Sequence, residues 1–160
     1  MSDPIRVNQN QLSWGSIRCI IDGDPFTGFT AISYADKRER VKAYGMGRHH
    51  APRGRSAGKY TTETVKLTGW KSSVQTLITQ LALRAPDQTS YGNVEFTISV
   101  IYSEPSEPNV DVLITGCVIT SQSAADEESA DPLKEELEID CMAIRRNGLA
   151  LWDNTELAPV

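Results

Sequence analysis

The chain has 160 residues, 39% of them hydrophobic, with three cysteines and a formal net charge of -5. That is enough apolar material for one domain with its own core, and the odd thiols, Cys19, Cys117 and Cys141, sit in strand-like apolar segments that read as buried free thiols rather than a disulfide framework or a zinc site, with one intermolecular or internal disulfide as the alternative. There is no run of eighteen apolar residues, and the start MSDPIRVNQNQ lacks the basic and apolar parts of a signal peptide, so the expectation is a single domain over residues 1–160, out of contact with membrane and made and used inside a cell, or exported by a route the sequence does not encode.

The charge is unevenly placed. Between Asp36 and Lys59 there are eight basic and two acidic residues, whereas from Glu104 to Asp140 there are eleven acidic residues and one basic residue, Lys134. Complementary patches of this kind set register between partners.

Taken in order, residues 1–13 are polar and form a flexible N-terminal arm. The apolar runs 14–21 and 26–34 flank Asp22-Gly23-Asp24-Pro25, which predicts a hairpin with Ile17, Cys19 and Ile21 on one face. Segment 36–59 then reads as a long inter-strand loop carrying Lys37, Arg38, Arg40, Lys42, Arg48, Arg53, Arg55 and Lys59. Its glycines, Gly45, Gly47, Gly54 and Gly58, match neither the nucleotide loop nor the dinucleotide fingerprint. The adjacent His49 and His50 lack the further ligands of a metal site and the orienting partners of a catalytic one. The expectation is therefore no enzyme activity, no cofactor and no metal. Nucleic-acid binding through residues 37–59 is the alternative, opposed by the net negative charge.

Residues 59–69 alternate as a half-buried strand, with Val65 and Leu67 opposite Thr62, Thr64, Lys66 and Thr68. Residues 72–84 form one amphipathic helix, capped by Ser72 or Ser73, striped by Val74, Leu77, Ile78, Leu81 and Ala82, and stopped by Pro86. Over 93–102, Val94, Phe96, Ile98 and Val100 face the core and Glu95, Thr97 and Ser99 face away. This strand reads as a long hairpin with 110–121, where Val112, Ile114 and Val118 oppose Leu113, Cys117 and Ile119. Residues 122–132 are an exposed acidic loop. A last strand, 133–144, sets Leu137, Ile139, Cys141 and Ala143 against Glu136, Glu138, Asp140 and Met142, so Glu136, Glu138 and Asp140 make an acidic band suited to a cationic partner. Residues 147–160 turn at Asn147-Gly148 and form a docking segment through Leu149, Leu151 and Trp152.

The fold class is mostly β, a sandwich or barrel with one flanking helix and a long inter-strand loop. A basic surface meeting an acidic one on the next copy is a heterologous contact, which closes into rings or stacks, and sheets joined edge to edge would remove exposed strand edges.

Several local segments carry a resemblance: Ile20-Ile21-Asp22-Gly23, the Tyr44-Gly45 turn, Gly58-Lys59-Tyr60, TTETVKLTG and the amphipathic helix that follows. Together, over about residues 14–146, the chain resembles the tail tube proteins of contractile-tailed bacteriophages. A related fold serves the inner tubes of contraction-driven secretion and bacteriocin particles and some baseplate components. The resemblance implies homohexameric rings whose hairpins line an inner β-barrel, stacked into a tube inside a sheath, with DNA passing through the lumen without specific binding during ejection. It implies sheath, baseplate and tail terminator proteins as partners, a place in the virion tail after assembly in the host cytoplasm, and a loop 36–59 that bridges subunits. Glu95, Thr97 and Ser99 would suit the lumen, since a basic bore would grip phosphates; Arg18 departs from that pattern.

Overall fold

The computed structural model describes residues 12–45, 50–105 and 108–152. Its longest strand, β10 (Val110–Ala124), is shared by two halves of one core. The first half of β10 pairs antiparallel with β9 (Phe96–Tyr102) along one edge and with β12 (Ala143–Arg146) along the other, and the second half pairs with β11 (Lys134–Asp140). Outside β9 lie β1 (Ile17–Ile21) and the two-residue β2 (Asp24–Pro25). Outside β11 come β8 (Val65–Trp70) and β3 (Phe29–Ser33), while β12 carries the short β13 (Leu149–Ala150).

Period-two alternation aims one side of every major strand into a common interior. Cys19 and Ile21, Phe96, Ile98 and Val100, Leu137 and Ile139, and Val65 and Leu67 are all buried there. The helix α1 (Lys71–Arg84) adds Val74, Leu77, Ile78 and Leu81 from one stripe. Each such aliphatic side chain contributes about 1.5–3 kcal/mol on burial. All three thiols are buried and free. Desolvation pushes those of Cys19 and Cys117 up to about 12.

The mostly β sheet with one helix is as the sequence predicts, but several strand partners and faces differ. The predicted hairpin over 14–34 is cut short. A short 3-10 turn (Trp14–Ser16) precedes β1, and after Asp22 and Gly23, both at positive φ (52° and 84°), the chain returns beside β1 for two residues only. Phe26 then enters the core, and Gly28 passes against the helix so closely that a Cβ there would lie 2.0 Å from Ser73 Oγ. The Trp70 N–H donates to the Gly28 carbonyl at 2.8 Å, so Phe29–Ser33 is drawn to β8 rather than β1.

The face assigned to 110–121 switches midway. The pairing with β9 slips between Ile114 and Cys117, at Gly116 with φ 67°. One extra residue turns every later side chain over, so Cys117 and Ile119 join Val112 and Ile114 inside and Val118 is left half-buried. The strand expected over 133–144 breaks after Asp140, and the chain re-enters the sheet at Ala143 against the other end of β10. The helix begins one turn position earlier than read: Trp70 occupies the N-cap with extended backbone, and no side chain caps it.

Candidate functional site: the arm and the charged ends

Segment 36–59 is an ordered ladder where it is described, extending the β3–β8 hairpin outward. Strand β4 (Asp36–Glu39) pairs with β7 (Lys59–Thr62), and farther out β5 (Lys42–Ala43) pairs with β6 (Gly54–Arg55). Between them Ser56 donates its N–H to the Val41 carbonyl at 2.8 Å and accepts the Val41 N–H on Oγ at 3.0 Å. Gly58 makes the return possible: its φ is 90°, and a Cβ would lie 2.0 Å from the Glu39 carbonyl oxygen. Only glycine meets both demands without strain.

The root of this arm is tied to β12. The Asp36 carboxylate, with its side chain 3% exposed, accepts from Tyr60 Oη at 3.0 Å and from the Arg146 guanidinium at 3.2 Å. Tyr60 Oη in turn accepts the Ile144 N–H at 3.2 Å. Arg146 lies 5.9 Å from the centre of the Tyr34 ring, and Tyr34 and Tyr102 share a hydroxyl hydrogen bond of 2.8 Å. Thr62 Oγ1 donates to the Cys141 carbonyl at 2.5 Å. Burial is the first cause that raises the pKa of both Tyr60 and Tyr102, and hydrogen bonding to Asp36 and Tyr34 respectively adds to it. The arm thus leaves the body from a hydrogen-bonded polar hub.

The cations named from the sequence have different fates. Arg38 lies 4.2 Å above the Trp152 ring and donates from Nε to the Ala57 carbonyl at 2.8 Å. Arg40 donates to the Ser56 carbonyl at 2.8 Å, and Lys37 pairs with Glu39 at 3.4 Å. Lys42 and Arg55 stand directly opposite each other across the outer ladder, both exposed. Arg53 packs beside Gly45, and Lys59 lines a cleft of about 630 Å³ with Met142, Ala150 and Trp152. His50 is exposed on the arm, while Arg48 and His49 lie outside the described residues.

The carboxylates Glu136, Glu138 and Asp140 do share the outward face of β11, but the neighbouring strand interrupts the band. Lys66 of β8 stands opposite Glu138, and Thr68 opposite Glu136. A denser acidic group lies in the turn before β11, where Glu127, Glu128 and Asp131 are exposed and Asp126 pairs with Lys71 at 2.7 Å. That hydrogen bond is the main reason the Lys71 pKa is raised. The signal was present in the sequence as the exposed acidic loop 122–132, although residues 122–124 are the end of β10, paired with Leu137, Glu136 and Glu135 of β11.

Thr97 and Ser99 project from the outward face of β9, and Glu95 precedes the strand, exposed. The register sets Ser99 in a row with Ile20 and Leu113, and Leu113 with Arg145. Arg18, Ile101 and Asp111 form the next row. The face therefore mixes arginine and aliphatic side chains with the predicted polar ones. At the C-terminal turn, Asn147 (φ 52°) and Gly148 (φ 76°) reverse the chain as expected, and Asn147 exchanges two 2.7 Å hydrogen bonds with the backbone of Asp111. Of the predicted docking residues, Trp152 meets the arm, whereas Leu149 and Leu151 remain 74% and 53% exposed. Residues 153–160 and 1–11 lie outside the described set.

No family profile matches the sequence, and neither does any curated protein. Solved structures do match. A chain in the cryo-EM structure of the sheath/tube terminator of an extracellular contractile injection system, PVC, superposes with a TM-score of 0.63 at 9% identity, over 88% of this chain and 99% of that one. A chain in the baseplate of the anti-feeding prophage gives 0.59 at 15%, over 94% and 100%. Hcp1 from Flavobacterium johnsoniae gives 0.54 at 13%, over 86% and 98%. The chain therefore has the tail-tube fold: mostly β, with one helix, in the form used by Hcp1 and by components of contractile injection systems. The likeness anticipated from short sequence segments is to this same fold.

Proposed function

We propose that this chain is a structural, non-enzymatic subunit that assembles with copies of itself into stacked hexameric rings, forming or terminating the inner tube of a contractile particle. The observation that carries this reading is the near full-length likeness to tube-terminator, baseplate and Hcp1 chains, which spans strands, helix and connections together. The shape of the chain supports it. Among the described residues β3 pairs only with β8 and leaves its other edge open, and the outer edge of β1 is covered at Ile20 and Ile21 by β2 and at the Cys19 carbonyl by the Phe26 N–H. Free edges of this kind are satisfied when sheets of neighbouring copies join. The partners would be sheath, baseplate and terminator proteins, and the place the tail of a particle assembled in the cytoplasm.

Two cargoes fit such a tube. DNA passage in a phage tail or gene-transfer particle is the first, and a virion of the latter kind holds a similar chain, at a TM-score of 0.52 and 13% identity. Passage of a polypeptide, as in a secretion or bacteriocin particle, is favoured by one observation: Arg18 and Arg145 lie on the same outward face as Ile20, Ile101 and Leu113. Of the two, Arg18 is exposed, and an exposed arginine in a bore would hold phosphates. Negative-stain microscopy of the purified chain tests the assembly reading. Hollow tubes or six-membered rings are expected, and a strict monomer at every concentration would refute it.

A further inference from the structure

The two charged segments leave opposite ends of the same pair of strands. In the β8–β11 ladder, Val65 stands opposite Ile139 at one end and Trp70 opposite Lys134 at the other. The arm feeds into β8 at the Val65 end, through β7. The acidic turn feeds into β11 at the Lys134 end, between Ala124 and Lys134. Five residue steps at about 3.4 Å separate the ends by roughly 17 Å of strand, and the arm extends the distance further.

Among the described residues, no ion pair is made by Lys42 or Arg55 of the arm, nor by Glu127, Glu128 or Asp131 of the acidic turn. From Arg40 to Lys59 the sequence has six basic residues and no acidic one. Within that span the ladder forces Lys42 and Arg55 into direct opposition, a like-charge arrangement that destabilises a strand pair unless an anion lies between. The two arm carboxylates are already engaged, Asp36 with Tyr60 and Arg146 and Glu39 with Lys37. At the other end Lys71 takes up Asp126, and Glu127, Glu128 and Asp131 face solvent.

We infer that Lys42 and Arg55 at the arm of one copy seat on Glu127, Glu128 and Asp131 of a second copy of this chain, and that this contact, rather than the β11 band of Glu136, Glu138 and Asp140, sets the polarity of stacking. Opposite charges at opposite ends of a protomer make a head-to-tail, heterologous contact, which repeats along an axis instead of closing as a dimer. The β11 band is the poorer acceptor because Lys66 already stands across from Glu138. The inference rests on the ring-stacking reading above.

Three full-length variants test it: Lys42→Glu with Arg55→Glu, Glu127→Lys with Glu128→Lys, and all four changes together. Sedimentation velocity and microscopy at about 0.05 and 0.5 M salt separate rings from stacks, and thermal melting confirms that each variant is folded. Either two-residue reversal should raise the concentration needed for stacking by about tenfold or more, and the fourfold variant should recover it. Stacking that survives the Lys42 and Arg55 reversal unchanged overturns the inference, as does a folded fourfold variant that fails to recover. Retention of duplex DNA by the unaltered chain, lost with Lys42→Glu and Arg55→Glu while stacking persists, overturns it in favour of a nucleic-acid role. An unaltered chain that never associates refutes the ring-stacking reading itself.

Discussion

Replacing Tyr60 by Phe removes one oxygen and almost no volume, yet that oxygen serves two partners at the arm root. It donates to the Asp36 carboxylate at 3.0 Å and accepts the Ile144 N–H at 3.2 Å. A hydrogen bond to a charged group is worth about 1.5–3 kcal/mol, and an unsatisfied buried N–H costs about 1–3 kcal/mol. Arg146 still reaches Asp36 at 3.2 Å, and its side chain is 47% exposed, so water shares that end of the site. The sum therefore belongs in the lower part of the range, about 2.5–4 kcal/mol. For a chain of this length that corresponds to a fall in Tm of roughly 5–16 °C. Urea unfolding measures it directly, with the midpoint lowered and the slope unchanged. Amide exchange over 36–62 should accelerate more than exchange in β9, since the lost contacts join the arm to β12. A loss below about 0.5 kcal/mol would refute the claim that Tyr60 holds the arm, because changes of that size are what uninvolved surface positions give.

Gly58→Ala should unravel the arm without unfolding the core, because the added Cβ meets the Glu39 carbonyl at 2.0 Å and the backbone sits at φ 90°; a cost of about 1–3 kcal/mol and faster exchange confined to β4 and β7 are expected, and normal arm protection would contradict it. For Cys19 and Cys117, whose thiols are raised by burial to about 12, the neutral form is the one the fold favours. Their contribution is complete below the unfolded thiol value of about 8.5 and is lost as pH rises toward 12. Reaction with a thiol reagent at pH 8 should therefore track global unfolding, and rapid modification of the folded chain would show that these sulfurs are accessible.

Local pattern carried most of the element inventory. The stripe Val74, Leu77, Ile78 and Leu81 placed the helix, and strict alternation placed Phe96, Ile98 and Val100, Val65 and Leu67, and Leu137 and Ile139 in the core, because side-chain direction follows from backbone period alone. The turn at Asn147-Gly148 was equally legible, since both residues accept positive φ. Partner choice was not. Phe29–Ser33 alternates acceptably beside either neighbour, and only the burial of Phe26 and the close pass of Gly28 under the helix commit it to β8.

The same division runs through the assembly surfaces. That a cationic segment and an acidic one exist, and that the cationic one is rich in glycine, was determined by the sequence. That the cationic segment is a two-stranded arm, and that its root joins Asp36 to Arg146 across 110 residues of chain, came from tertiary structure. So did Lys66 standing opposite Glu138 and the single-residue slip at Gly116 that sends Cys117 inward. Charge and periodicity are properties of neighbours along the chain, readable from order alone; pairing and register depend on which distant strand arrives alongside, and only the folded chain decides that.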